Sequence, residues 1–309
     1  MAILRKADLA LYEAKGEGRG CARFFTPEID AAVQRRRVLE HDLRIATEAR
    51  AFELRFQPIV DLGSGSTVAV EALLRWHHPL RGMVCPTDFI GVAEETGLIE
   101  DIGEWVLLEA CRAAMAWRPE VKVSVNLSSR QFRRGGLMAD IINALERTGL
   151  PPQRLELEFT ESVFLPGSAA LVETLHDLRR MGVGIVMDDF GTGFSSLSHL
   201  RSFPFSKIKI DRTFIADLAS RPDSAAIVRA VIALARDLGM RTTAEGVETE
   251  EQLDFLREKG CVEGQGYLFG RPMTAADVTA LFGLVPSASR ALAANDAPRL
   301  LAPGGARAS

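Results

Sequence analysis

Cysteine is scarce and poorly spaced for any cross-link: Cys21, Cys85, Cys111 and Cys261 are the only four in 309 residues, with no CxxC and no Cys/His pairing. That excludes a disulfide framework and a zinc site, and suits a reducing cytoplasm. An excess of one charge is also missing. With 37 Lys and Arg against 41 Asp and Glu the net charge is -4, so no basic nucleic-acid surface is expected. No apolar run approaches the ~18 residues of a membrane span, and no signal peptide precedes Arg5 and Lys6. If a parent protein is membrane-associated, this chain does not put it there. Aromatics make up 7%, with three Trp, which argues against the sugar-stacking mouth of a glycoside hydrolase. Trp105 and Trp117 fall on a helical pattern and read as packing residues.

What is present is organised around Gly182 to Leu197, GVGIVMDDFGTGFSSL. An apolar, β-branched run from Val183 to Met187 has the character of a doubly buried strand and ends in two adjacent carboxylates, Asp188 and Asp189. Neighbouring carboxylates repel unless a cation, a shared proton or open water intervenes. A plainer reading is an acidic turn before a helix capped by Ser195 or Ser196. The pattern recurs, however. From Phe52 to about Leu284, strand-like and helix-like segments alternate, which predicts a parallel sheet with helical crossovers. Successive strands deliver Glu71, Asn126, Glu158, Asp188, Lys209, Glu245 and Gln265 at their C-terminal ends, and a closed (β/α)8 barrel gathers such ends around one mouth where an open sheet spreads them along a line.

Outside this region, residues 1–26 read as a short helix and loop, and residues 27–50 as a charged helical linker with apolar Ile29, Val33, Leu39, Leu43 and Ile45. Arg35 to Arg37 read as a solvated helix face. Residues 285–309, rich in Ala, Pro, Ser, Gly and Arg, read as a disordered tail.

The converging donors are all oxygen, with Glu161 and Glu248 each three residues behind a strand-end acid, and the five histidines lie elsewhere. Hard oxygen ligands favour Mg²⁺ or Mn²⁺ over Zn²⁺, and this many carboxylates suffices for two ions bridged by Asp188. Such a pair suits phosphodiester hydrolysis. Lys209 projects into the same mouth, and Arg75 has the fork to reach a phosphate.

The segments FQPIV, VAVEALLRW, SVNLS, LELEFTES, DDFGTGFSSL, IKIDRTF, TTAEGVET and GQGYLFGRP, in that order, resemble the EAL-domain family of cyclic-di-GMP phosphodiesterases. The resemblance covers roughly Leu39 to Leu284. It implies a TIM-type barrel that hydrolyses cyclic di-GMP to linear pGpG with two Mg²⁺ or Mn²⁺ ions, commonly as a homodimer under an attached sensor. By motif, Glu71, Asn126, Glu158 and Asp188 would hold the first metal, and Asp188, Asp189 and Glu245 the second. Lys209 would position or deprotonate the attacking water, Gln265 would hold a water near the metals, and Glu161 would brace the loop from Asp189 to Ser196. Glu248 would support the metal ligands from behind, and Arg75, Leu73 and Gln57 would contact substrate. A catalytically silent cyclic-di-GMP receptor is the alternative, and it predicts missing ligands. ADLALYEAKGEGRG within residues 1–26 resembles the C-terminal end of GGDEF (diguanylate cyclase) domains, whose signature loop is absent, so no cyclase activity is implied.

Overall fold

Eight strands close on themselves in the computed structural model, which describes residues 24–133, 136–160, 169–191, 202–218 and 221–282 with a few isolated positions before them. They are β1 (Phe52–Asp61), β2 (Thr67–His78), β4 (Lys122–Asn126), β5 (Leu155–Thr160), β6 (Gly184–Phe190), β7 (Lys207–Ile210), β8 (Arg241–Ala244) and β9 (Glu263–Gln265). A short ninth, β3 (Gly82–Val84), pairs antiparallel with the far end of β2. Neighbours run β1-β9-β8-β7-β6-β5-β4-β2, and a β1–β2 pairing closes the ring. Pairs from β2 through to β9 are parallel.

The expected all-parallel sheet needs one correction, because β1 runs antiparallel to β9. Its connection to β2 is too short for a helical crossover. Asp61 instead nucleates a tight turn there, its Oδ1 accepting from the amide and the hydroxyl of Ser64, both at 2.9 Å.

The chain divides into two compact units, one comprising residues 53–75 and 100 onward and the other the residues up to Phe52 together with 76–99. In the second unit, helix α1 (Pro27–Ala49) buries Val33, Leu43 and Ala46 while Ile45 is exposed. Arg35 and Arg37 face solvent, and Arg36 pairs with Glu95 on α2 (Pro86–Thr96). Phe52, Trp76 and Phe89 pack ring to ring, with Trp76 on Phe89 edge to face at 5.5 Å.

In the first unit, period-two alternation puts apolar residues such as Val123, Leu157 and Ile208 on one face of the strands and polar ones on the other. LELE in β5 and KIKI in β7 therefore each send two charged residues into the barrel, stacked in layers. In the lower layer Lys207 pairs with Glu156 and, at 2.8 Å, with Glu263. Lys122 reaches Glu156 at 2.8 Å, and Arg241 reaches Glu263 at 2.9 Å. Gly184 makes room for this pairing, since a Cβ there would lie 2.8 Å from Glu156 Cγ. Burial alone pushes the Glu156 carboxyl up; the ammonium groups of Lys207 and Lys122 outweigh it and hold the group at about 2. The Trp117 ring lies beyond α3 (Ile99–Ala114), not on it, and packs edge to face against Phe56 at 5.3 Å.

Candidate active site

Two residues above each member of the lower layer stands a member of the upper one. Glu158, Lys209 and Gln265 follow Glu156, Lys207 and Glu263 at the same strand parity. Lys209 is the hub: its Nζ lies 2.6 Å from Glu158 and from Glu245, and 3.4 Å from Glu71 and from Asp188. The expected strand-end acids thus do converge, although Glu71, Glu158 and Asp188 sit inside their strands, β2 in particular running on to His78.

Each acid is oriented from the side. Asn126 Nδ2 donates to Glu71 Oε1 and Gln265 Nε2 to Glu71 Oε2, both at 2.6 Å. Gln265 Nε2 also donates to Gln57 Oε1 at 3.2 Å, and Gln57 Nε2 to the Gly270 carbonyl at 3.1 Å. Ser124, which sequence reading missed, donates its hydroxyl to Glu158 Oε1. The signal for it was available, because Ser124 stands two residues before Asn126 on the same strand.

Asp188 and Asp189 pose a steric problem, since consecutive strand residues point to opposite faces. The register of β6 against β7 shifts between Met187 and Phe190, and Asp189 takes a left-handed conformation with φ of 53°. This bulge keeps both carboxylates on the cavity side. Oxygens of Asp188, Asp189 and Glu245 all lie within 4.8 Å of one another.

Four acids and one ammonium leave the cluster short of positive charge. Burial disfavours the Lys209 ammonium, but Asp188, Glu158, Glu245 and Glu71 together hold it protonated well above the ordinary lysine range. Burial pushes Glu158 well up despite Lys209, with Glu71 and Asp188 adding to the rise. Glu245, raised by burial and by Asp188 and Glu71, reaches about 8. Asp189 is raised by burial and by Asp188. Glu71 goes the other way, because Lys209, Gln265 and Asn126 outweigh its burial. Such a set gains from a further cation: its donors are hard oxygens, and one cation, the Lys209 ammonium, already sits among four of them.

Above this floor opens a cavity of about 350 Å³, lined by Gln57, Asp188, Glu245 and Glu248 and, on the outer side, by Arg212 and Tyr267. Leu73 and Arg75 are half-buried on β2 and are not among the residues that line it; Arg75 Nη1 donates to the Leu74 carbonyl at 2.8 Å. Glu161, Ser195 and Ser196 lie outside the described residues, as do most of residues 1–26 and all of 285–309.

Residues 40–272 match the EAL domain family. The chain belongs to the EAL family. The chain is 47% identical over 282 residues to the bifunctional diguanylate cyclase/cyclic di-GMP phosphodiesterase MucR of Pseudomonas aeruginosa, covering 90% of this chain and 41% of MucR. It is 40% identical over 278 residues to the cyclic di-GMP phosphodiesterase NbdA of the same organism, covering 89% of this chain and 36% of NbdA. Among solved structures, the PaMucR phosphodiesterase in complex with c-di-GMP superposes with a TM-score of 0.75 at 49% identity, over 78% of this chain and 99% of that one. The chain spans about a third of the length of other curated relatives it matches. No described helix is long and apolar enough to cross a membrane.

Proposed function

We propose that this EAL domain hydrolyses cyclic di-GMP to linear pGpG with two divalent ions, Mg²⁺ or Mn²⁺, held by Glu71, Asn126, Glu158, Asp188, Asp189 and Glu245. The observation that carries it is the convergence of four carboxylates on the buried ammonium of Lys209 at the floor of an open cavity. The ions would supply an activated water and neutralise charge developing on the phosphoryl oxygens. The chain's own groups do the rest. Lys209, whose Nζ lies within 3.4 Å of four of the ligand acids, would position or deprotonate the attacking water. Gln265 and Asn126 fix the two oxygens of Glu71, and Glu248 faces the cavity from the rim. Gln57 would reach substrate from the cavity wall; Arg75 and Leu73, which the family motif assigns to substrate, would do so only by turning from β2 toward a cavity they do not line here.

Incubation of the purified chain with cyclic di-GMP, with Mg²⁺ or with EDTA, tests this: pGpG should form only with the metal. Binding without cleavage would mark the chain as a receptor instead.

A second expected result concerns the ions alone. Glu245 is raised from 4.5 to about 8, so between those values the folded state holds a proton that the unfolded state has released. Metal-free protein should therefore lose stability as pH rises through that window, and saturating Mg²⁺, replacing the proton, should flatten the dependence. Thermal melts with EDTA and with Mg²⁺ across the window read both slopes, and parallel slopes would refute it.

The wider organisation we propose is a GGDEF-derived remnant at 1–26, a helical linker at 27–50, the barrel at 51–284 and a tail at 285–309. It would act in the cytoplasm as a homodimer within a longer sensor protein, without nucleic acid as partner.

A further inference from the structure

We infer that the outer lip of the cavity is a nucleotide platform, in which Tyr267 stacks one base of the cyclic dinucleotide and Arg212 holds the phosphate that is not cut. The inference rests on the phosphodiesterase reading above and says where the part of the ligand farther from the reacting phosphate is gripped.

Tyr267 is 52% exposed and lines the cavity. The guanidinium of Arg271 lies over its ring, 4.2 Å from the centroid. Arg271 thus backs one ring face, leaving the other for a planar ligand, and a purine there extends a stack begun by the guanidinium.

Arg212 is exposed and is the one cationic side chain among the described residues that line the cavity. Lys209 beneath is committed to four carboxylates, whereas Arg212 has no ion-pair partner among the described residues. The other ionisable groups lining the cavity are acids, so a ligand with two phosphates meets repulsion at the rim unless a cation offsets it. A guanidinium is suited to that phosphate by its planar fork.

Both residues are held in place by glycines. A Cβ on Gly266 would lie 2.1 Å from the Val247 carbonyl oxygen, so the segment carrying Tyr267 packs directly on the Val247 backbone. Val247 N donates to Gln265 O at 3.0 Å and Leu268 N to Val247 O at 3.1 Å, tying the two segments together. Gly246 has φ of 68°, and a Cβ there would lie 2.7 Å from Arg212 Cβ. The lip is therefore a built surface, not a pair of loose side chains.

The test compares wild type with Tyr267→Ala, Tyr267→Phe, Arg212→Ala and Arg212→Lys, by turnover of cyclic di-GMP in Mg²⁺ and by equilibrium binding in Ca²⁺. Tyr267→Ala should weaken binding and raise KM roughly tenfold with little change in kcat, and Tyr267→Phe should restore both. Arg212→Ala should raise KM to a similar extent and reduce the salt dependence of Kd, with Arg212→Lys restoring that dependence. Alanine variants that bind as wild type does, or that lose kcat at unchanged Kd, overturn the platform. If wild type binds cyclic di-GMP without producing pGpG, the hydrolase reading falls, and the Kd comparison still decides the platform. A wild type that neither binds nor cleaves overturns both.

Discussion

Replacing Lys209 with alanine should lower kcat for cyclic di-GMP by roughly 10²- to 10⁴-fold, the range lost when a positioned proton-handling group is removed. Lys209 Nζ is within 3.4 Å of four separate carboxylates, so its loss removes the cation that lets those acids coexist and, on the proposed mechanism, the group that would handle the attacking water. The two consequences separate by metal. Without divalent ions the alanine variant should take up protons to offset the missing charge, and its acids should titrate higher than in wild type. With saturating Mn²⁺ the fold should recover while turnover does not. Lys209→Arg keeps the charge on a bulkier, planar group and should recover metal-free stability better than activity. Activity within tenfold of wild type for Lys209→Ala would remove this residue from the mechanism.

The second large effect lies one layer below. Lys207→Met keeps most of the side-chain volume but strips the charge shared by Glu156 and Glu263, and removing one partner of a buried pair costs about 3–5 kcal/mol. Lys122 and Arg241 remain on those acids, so the loss should fall toward the lower figure. A melting temperature lowered by roughly 5 °C is expected for a chain of this size. The sign with pH follows from Glu156. Its carboxyl is held at about 2 in the fold against an ordinary 4.5, so its stabilising contribution is present above 4.5 and is lost as pH falls toward 2. The gap between Lys207→Met and wild type should accordingly shrink as pH drops through that interval. A variant that melts with wild type at neutral pH would show that the lower layer contributes nothing to stability.

Much of this was legible in the sequence, for a physical reason. A parallel strand buried on both faces reads as an apolar run, and an acid breaking that run has to face something, so VAVE and IVMD pointed to Glu71 and Asp188, while Glu158 and Glu245 stood out as acids at the ends of the shorter LELE and TTAE segments. The lower layer is less conspicuous, because the last polar residue of each strand marks the mouth and hides the one beneath it. Yet Glu156, Lys207 and Glu263 stand two positions earlier, where alternation already placed them inside the barrel. Three features lay beyond the letters. The adjacency of Asp188 and Asp189 is plain in the sequence, but the bulge that keeps both on one side shows only in the register and in the left-handed turn at Asp189. The reversal of β1 hung on reading DLGSGST as a hairpin turn rather than a crossover. Arg212 and Tyr267 come just after strands and follow no periodicity; only the folded cavity reveals what they face.

On the proposed mechanism, one acidic pocket at the mouth of the barrel binds the ions on which the chemistry depends. Titration of the purified chain with Mn²⁺, counted by electron paramagnetic resonance of the free ion, tests it most directly when wild type is set beside Asp188→Asn. Two bound ions per chain in wild type, and markedly weakened binding in the variant, are what the geometry predicts. Wild-type protein that leaves all the Mn²⁺ free, or an Asp188→Asn variant that binds it as tightly, would contradict the account.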